Sequence, residues 1–225
     1  MSYSQVLLTP PPQRTCTFLA SGTDSATTNT WTFSGVSLGT ASADRIIVIG
    51  LGSSNGPLIT RALGVTIAGI TATYIGAYEV GTPNYWDSEL YYALVPTGTT
   101  GDLVITWNGT TGGVVYSLWA LTGMLSSVPS TLPTNTNYHV GYGANASAIT
   151  DRNAGGAPVY TGGIGIWLAV GDENTTSNTG TKDYAVSGTG TYSFVYLGFH
   201  ATSNSMNVGY GDASSYRSLH GAYWY

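Results

Sequence analysis

Charged side chains are scarce in this chain. Lys and Arg together number 6 and Asp and Glu 11, so that 8% of the 225 residues are charged, whereas an ordinary soluble domain has about 25%. Lys182 is the only lysine, and the formal net charge is −5. Binding to a phosphate backbone requires clustered Lys and Arg. The composition therefore argues against a nucleic-acid partner.

Cysteine and long hydrophobic runs are also lacking. Cys16 is the only cysteine, which excludes an internal disulfide framework, and we expect it to be a small buried hydrophobic residue rather than a reactive thiol. The longest apolar runs lie at 46–49 and 164–170, and both are far shorter than the roughly 20 residues that span a bilayer. We therefore expect no membrane insertion.

The N-terminal sequence MSYSQVLLTPPPQ has no basic region before its short apolar segment. It does not have the pattern of a secretory signal, so we expect synthesis and folding in the cytoplasm of the cell that makes the protein. Consecutive prolines favour an extended polyproline conformation and cannot join a central strand. The sequence predicts an extended arm over residues 1–13, whose contact residues are Val6, Leu7, Leu8, Pro10, Pro11 and Pro12.

Helical periodicity is absent from the chain, and short runs of β-branched and aromatic residues alternate with turns rich in Gly, Thr, Asn and Pro. Asp44 and Arg45 precede the run 46–49 and mark the entrance of a strand that is covered on both faces. Residues 65–75 predict a hairpin with its turn at Ala68 and Gly69. About ten such strands indicate an all-β antiparallel sandwich of jelly-roll type.

Residues 124–162 interrupt this pattern. The segment is rich in Gly, Ala, Asn, Ser and Pro and is long for a connection within a compact domain. We interpret it as a large functional loop or a crossover between sheets. The strand-forming segments on its two sides have the same composition, so we predict a single domain over 14–225.

Groups that could move protons or hold metals are few. The three histidines, His139, His200 and His220, lack metal-ligand spacing and a neighbouring carboxylate, and we expect half-buried aromatic residues there. Asp87 and Glu89 are two residues apart and would share one face of a strand, and a glycosidase could use such a pair of carboxylates. The simpler interpretation is that both side chains are solvated at the entrance of a strand. The acidic turn 172–174 is a weak candidate for calcium. We predict no catalytic set, no metal and no cofactor.

Aromatic residues are abundant, with 17 Tyr and 6 Trp. Those that alternate within apolar strands are expected to fill the core: Trp31, Trp107, Trp119 and Trp167. Loop aromatics give rigid contact area with a polar tip, which suits interfaces and sugar stacking. The candidate ligand-binding residues are Tyr85, Trp86, Tyr138, His139 and Tyr142. Tyr223, Trp224 and Tyr225 form a last strand that docks into the sheet or contacts a neighbouring subunit.

Four stretches carry a resemblance to a known group of proteins. They are WTFSGVSLGTASADRIIVIGLG, VTIAGITATYI, LVPTGTTGDLVITW and VVYSLWALTG, which follow one another within residues 29–123. In this order they resemble β-sandwich surface proteins of tailed phages, prophages and phage-like gene-transfer particles. The hairpin turn of such proteins tends to hold two glycines, whereas this chain has Ala68 and Gly69. The resemblance implies a structural role in a virion, as a head spike, decoration or fibre protein, and no enzymatic activity.

Three hypotheses follow from these observations. The first is a virion surface protein that attaches to capsid or tail proteins through its N-terminal arm. Because its surface has few charges to protect sheet edges from pairing, we expect symmetry mates in a homo-oligomer to cover those edges. The second is a carbohydrate-binding, lectin-like module, which could serve adsorption to a host surface glycan. The third, an enzyme that uses Asp87 and Glu89, has the least support.

Overall fold

The computed structural model describes residues 13–55, 62–80, 85–131, 148–150, 163–171, 175–177, 181–187, 195–201, 207–210 and 217–224. These residues form antiparallel β-sheets packed against one another, and the described part contains no helix. It therefore contains no helix long and apolar enough to cross a membrane. The predicted all-β antiparallel sandwich is confirmed.

Seventeen strands make up the described fold. They are β1 (Thr15–Asp24), β2 (Thr28–Ser37), β3 (Ile46–Asn55), β4 (Ala62–Ile67), β5 (Ile70–Thr71), β6 (Thr73–Val80), β7 (Tyr85–Leu94), β8 (Thr100–Thr111), β9 (Val114–Thr122), β10 (Ser130–Thr131), β11 (Ala148–Thr150), β12 (Ile164–Gly171), β13 (Thr175–Ser177), β14 (Thr181–Ser187), β15 (Val195–Ala201), β16 (Asn207–Tyr210) and β17 (Arg217–Trp224).

The first nine strands have the connectivity of a jelly roll. One sheet has the order β1-β9-β3-β7-β6 and the second has the order β2-β8-β4-β5. The antiparallel pairs are nested along the chain: β1 with β9, β2 with β8, β3 with β7 and β4 with β5. Folding a long hairpin over on itself gives this nesting, and β5 and β6 act as one strand that passes from the second sheet to the first. The jelly-roll topology of the predicted sandwich is thus present within residues 15–122.

The predicted hairpin has its turn where the sequence places it. Thr66 pairs with Thr71 and Ile67 with Ile70, and the two turn residues have φ values of 52° at Ala68 and 76° at Gly69. Two consecutive positive φ values are typical of a type I′ turn, whose twist matches that of the flanking strands. Ala68 therefore adopts a conformation that favours glycine.

Strand β3 is covered on both faces, as predicted. Its odd-numbered residues Ile47, Ile49 and Leu51 pack into the core between the two jelly-roll sheets. Ile46 and Val48 point the other way and pack into a second core. Alternate residues of a strand point to opposite faces, so a continuous apolar run is the pattern that a strand between two layers requires.

A third layer supplies the second core. It is a sheet with the order β10-β17-β12-β15-β14, and its residues Ile164, Ile166, Leu168, Ala222 and Trp224 pack on the outer face of the first jelly-roll sheet. A small sheet with the order β11-β16-β13 completes the described fold. The described parts of the predicted loop over 124–162 include the short strands β10 and β11. The predicted domain bounds remain a prediction.

Three of the four tryptophans predicted to fill the core do so. Trp31, Trp107 and Trp119 are buried, with exposed fractions of 2%, 2% and 0%. The backbone of Trp167 lies in the centre of β12, and its side chain is outside the described residues.

Candidate functional site

The sandwich has two ends that carry different features. Strand β3 runs from Ile46, opposite Leu94 and Leu121, to Asn55, opposite Tyr85. Ten strand residues span about 30 Å, so the two ends are well separated. We call the end at Ile46 the entry end, because β1 begins there opposite the last residue of β9, and the end at Asn55 the far end.

Arg45 organises the entry end. Its side chain is fully buried and donates five hydrogen bonds to backbone carbonyls of two connections. In the connection between β2 and β3, Nη1 bonds the oxygens of Leu38 and Gly39 at 3.0 and 3.1 Å. In the connection between β7 and β8, Nε donates to the carbonyl oxygen of Val95 at 2.8 Å. Nη2 donates to the carbonyl oxygens of Thr97 and Gly98 at 2.7 and 2.8 Å.

None of these five acceptors is a carboxylate, so the hydrogen bonds of the buried guanidinium all go to carbonyl dipoles. Burial lowers the pKa of Arg45, but an arginine side chain remains charged in proteins. Its planar fork matches five fixed acceptors in a way that an ammonium group cannot. Arg45 therefore holds two connections of the jelly roll in one arrangement.

Asp44 connects a third segment to the same end. Its carboxylate accepts hydrogen bonds from the Ser42 hydroxyl and from the backbone N–H of Gly123, the latter at 2.6 Å. These two bonds lower the pKa of Asp44, the Ser42 bond more than the Gly123 bond. Asp44 and Arg45, which the sequence places at a strand entrance, thus hold together the connections around residues 38–45, 95–99 and 123.

The described chain also begins at this end. The carbonyl oxygen of Gln13 lies so close to Gly123 that a Cβ at that glycine would stand 2.5 Å from it, and Gly123 has a φ of 74°. A residue with a side chain would clash there and would be strained as well. Gln13, the first described residue, therefore lies beside Gly123 at the entry end.

Three exposed apolar residues lie at the end of β7 or after the end of β9, strands that both end at the entry end. Leu94 ends β7, and Leu125 and Val128 follow β9; their exposed fractions are 45%, 70% and 59%. Leu63, with an exposed fraction of 68%, lies near the start of β4 and so near the far end.

At the far end, β7 begins with two of the predicted ligand-binding residues. Tyr85 and Trp86 pair with Asn55 and Ser54 of β3, and Trp86 also pairs with Val80 of β6. The side chains of Tyr85 and Trp86 are outside the described residues. The structure therefore places both residues in a strand at the far end.

Glu89 is buried and not solvated, so the interpretation of Asp87 and Glu89 as a solvated strand entrance is wrong for Glu89. Its exposed fraction is 0%, Oε1 accepts the backbone N–H of Ala62 at 2.9 Å, and Oε2 is hydrogen-bonded to the Tyr91 hydroxyl. The same hydroxyl lies 3.2 Å from the carbonyl oxygen of Ala62. Glu89 thus fixes the start of β4 against β7 inside the sandwich, while the side chain of Asp87 is not described.

Cys16 lies against the second core at the entry end and has the predicted properties of a buried residue. Burial raises the pKa of its thiol, and the negative charge of Asp183 raises it further. Asp183 sits where the register between β14 and β15 shifts, and a bulge of this kind redirects a side chain. Its carboxylate accepts a hydrogen bond from Nε1 of Trp119 at 2.7 Å. Cys16 is half-buried and packs against the second core, and its low reactivity as a thiol remains a prediction.

The remaining predicted site residues divide into two groups. Trp224 is fully buried in the second core and donates from Nε1 to the carbonyl oxygen of Ser127. Of the two alternatives for the aromatic end, docking into the chain's own sheet holds for Trp224, which offers no surface to a second copy. The second group lies outside the described residues: Val6, Leu7, Leu8, Pro10, Pro11, Pro12, Tyr138, His139, Tyr142, residues 172–174 and Tyr225, together with the side chains of Tyr223, His200 and His220.

Potential metal ligands do not cluster in the described part of the chain, where no group of three or more His, Cys, Asp or Glu residues could hold an ion. Sequence reasoning missed the buried roles of Arg45, Glu89 and Asp183. For Arg45 and Glu89 a signal was present, because each charge adjoins an uninterrupted apolar run in a chain that otherwise avoids charge.

The chain was compared with protein-family models, curated proteins and solved structures. No family model matches it, and no curated protein or solved structure shows significant similarity.

Proposed function

We propose that the protein is a structural component of a virus particle, located on the virion surface as a head spike, decoration or fibre protein. The N-terminal arm attaches it to capsid or tail proteins, and the far end points outward. The observation that carries this proposal is the polarity of the sandwich. Gln13, the first described residue, lies beside Gly123 at the entry end, and Tyr85 lies at the opposite end of β3, about 30 Å away.

The edge of the second jelly-roll sheet at β2, beside which the described residues place no further strand, supports a location within an assembly. Strand β2 is an edge strand of ten residues without a charged side chain. Exposed edges of monomeric proteins usually carry charges, prolines or bulges that prevent pairing with another chain. In β2 only the two register shifts opposite β8 serve this purpose. A homo-oligomer or a neighbouring virion protein would cover this edge.

Carbohydrate binding is the second candidate function, and the location of Tyr85 and Trp86 at the far end favours it. Aromatic residues are suited to stacking on a host surface glycan, and in the proposed orientation the far end is the outer end of the molecule. Replacing Trp86 by Ala should weaken binding to a glycan array or to host cells by roughly 1–3 kcal/mol, as for an aromatic in a binding patch. Unchanged binding with an intact fold would remove Trp86 from the glycan site and leave the structural proposal standing.

Deletion of residues 1–12 tests the attachment role. We compare the full chain, the deletion variant and a matched control in which Gly and Ser replace residues 2–12 at equal length. Particles are purified from cells that produce each form, and the protein is quantified in them by mass spectrometry. The proposal predicts that both altered forms keep their melting temperature but are lost from particles. Normal incorporation of either form would refute attachment through the arm.

A further inference from the structure

Strand β2 contains a regular, uncharged segment at the edge of the second jelly-roll sheet. Among the described residues, only β8 pairs with it. Residues 30–33 pair with β8 without interruption between the two register shifts of the strand. Thr30, Thr32 and Ser34 are exposed, whereas Trp31 is buried in the core. A regular segment of this kind is the place where another strand can add to a sheet.

The backbone groups of Thr32 are directed towards the edge of the sheet. The N–H of Thr30 donates to the Thr28 hydroxyl at 3.3 Å, and this hydroxyl donates to the carbonyl oxygen of Thr30, also at 3.3 Å. Both groups of Thr30 therefore meet a side chain of β2 itself. Backbone groups of alternate residues in an antiparallel strand point to opposite neighbours, so those of Thr32 point in the same direction as those of Thr30. Thr32 thus offers a donor and an acceptor to an added strand.

The side of the sandwich around this edge has almost no charge. Strand β1, which is the edge of the first jelly-roll sheet, contacts β2, and Asp24 is the only charged residue within 15–37. Its carboxylate accepts the backbone N–H of Ala26 at 2.8 Å in the turn that follows β1. The whole chain has a net charge of −5, and copies with the same net charge repel each other. Two copies therefore meet with the least repulsion through this side.

We propose that β2 pairs antiparallel with β2 of a second copy across a two-fold axis at Thr32. A two-fold contact brings the same surface of both copies together. Thr32 then lies opposite Thr32 of the other copy, and each donates its N–H to the carbonyl oxygen of the other. In this register Thr30 lies opposite Ser34 on the outer face, and Trp31 lies opposite Phe33 on the core face. Because outer residues meet outer residues, the two sheets join into one continuous sheet.

A second copy is the favoured partner because β2 carries no charge that a different protein would have to complement. In the register centred on Thr32, uncharged side chains lie opposite uncharged side chains. This inference deepens the proposed assembly role by naming the partner of β2, and to that extent it rests on the proposed function. The tests below use purified protein without particles, so a failure of the dimer is distinguishable from a failure of incorporation into particles.

Sedimentation equilibrium of the purified full chain measures the association. The natural chain is compared with Thr32→Lys and with the matched control Thr71→Lys, which places the same charge on the exposed strand β5 at the other edge of this sheet. Like charges directly opposite each other destabilise a strand pair. We expect a dimer whose dissociation constant rises about fivefold in Thr32→Lys and is unchanged in Thr71→Lys. A monomer at every concentration, or an association that Thr32→Lys does not weaken more than Thr71→Lys, overturns the proposal.

Disulfide trapping tests the register and does not depend on the lysine variants. Each variant carries Cys16→Ala and one new cysteine, either Thr32→Cys or, as a control on the same strand, Ser37→Cys; both positions are exposed. Directly opposed residues of a strand pair lie within disulfide range, whereas the proposed pairing separates the two copies of position 37 by about 33 Å. After oxidation at low micromolar concentration, we expect a covalent dimer for Thr32→Cys alone. Trapping at neither position, at both equally, or at position 37 alone contradicts the two-fold pairing at Thr32.

Discussion

Replacement of Arg45 by Met removes the five hydrogen bonds at the entry end while keeping most of the side-chain volume. The acceptors at Leu38 and Val95 are in buried surroundings, whereas those at Gly39, Thr97 and Gly98 are partly exposed and can turn to water. Hydrogen bonds to a charged group contribute about 1.5–3 kcal/mol each, so the two buried bonds contribute about 3–6 kcal/mol.

Part of this contribution is offset, because the guanidinium bears a desolvation cost that Met does not. We expect Arg45→Met to lower the free energy of unfolding by about 2–3 kcal/mol, which for a chain of this size lowers the melting temperature by about 4–12 °C. Arg45→Lys keeps the charge but has only three donors on one nitrogen. It should therefore show at least half of the loss of the Met variant.

Thermal and urea-induced unfolding, followed by tryptophan fluorescence, measures both variants against the natural chain. A loss below about 0.5 kcal/mol for Arg45→Met would be typical of an unimportant surface position and would refute the role of the carbonyl cage. A fully stable Arg45→Lys variant would show that charge alone, and not the planar fork, holds the two connections.

The remaining predictions concern the buried carboxyl, the hairpin turn and the thiol. Tyr91→Phe removes the hydroxyl partner of Glu89 Oε2 and should cost about 1–3 kcal/mol, the range for a buried acceptor left without a donor; a neutral effect in urea unfolding would contradict the buried network. Ala68→Gly relieves a positive φ that costs an L-residue about 1–2 kcal/mol and should raise stability by about 0.5–1 kcal/mol after the entropic cost of glycine; a lower melting temperature would argue against the type I′ turn. Cys16 stabilises the fold while it is protonated, because its folded-state pKa is raised above the ordinary value of 9.0. This contribution is present below that value and is lost as the pH rises above it, so the natural chain should lose more stability between neutral pH and pH values above 9 than the Cys16→Ala variant does. Asp183→Asn removes the charge that, after burial, raises this pKa, and it should speed the reaction of the native thiol with a disulfide reagent at alkaline pH; an unchanged rate would remove Asp183 from the surroundings of the thiol.

Much of the fold could be predicted because its strands depend on local patterns. The run 46–49 indicated a strand buried on both faces, and Ala68 and Gly69 indicated the hairpin turn; the structure confirms both. Alternation and turn chemistry are properties of neighbouring residues, so one sequence is sufficient to detect them. The third layer could not be assigned to the outer face of the first sheet, because apolar alternation does not say which partner covers a strand.

The polar interior could not be predicted for a different reason. The positions of Asp44 and Arg45 at a strand entrance were apparent, but the five carbonyls around Arg45 come from segments up to 53 residues away and converge only in the folded chain. Asp183 turns towards Trp119 through a shift in strand register, and no local sequence pattern marks that shift. Long-range convergence of backbone groups therefore limits what can be inferred about the candidate site.

The orientation of the protein on intact particles is the most direct test of the proposed virion role. Two single-cysteine variants in a Cys16→Ala background place a thiol at exposed positions: Ala41→Cys at the entry end and Ala26→Cys at the far end. Purified particles are treated with a bulky maleimide, and labelling is compared with that of the same variants free in solution. The account predicts that the protein is present in particles, that Ala26→Cys labels as fast as in solution, and that Ala41→Cys is protected. Absence of the protein from particles, or equal labelling of both positions, would contradict it.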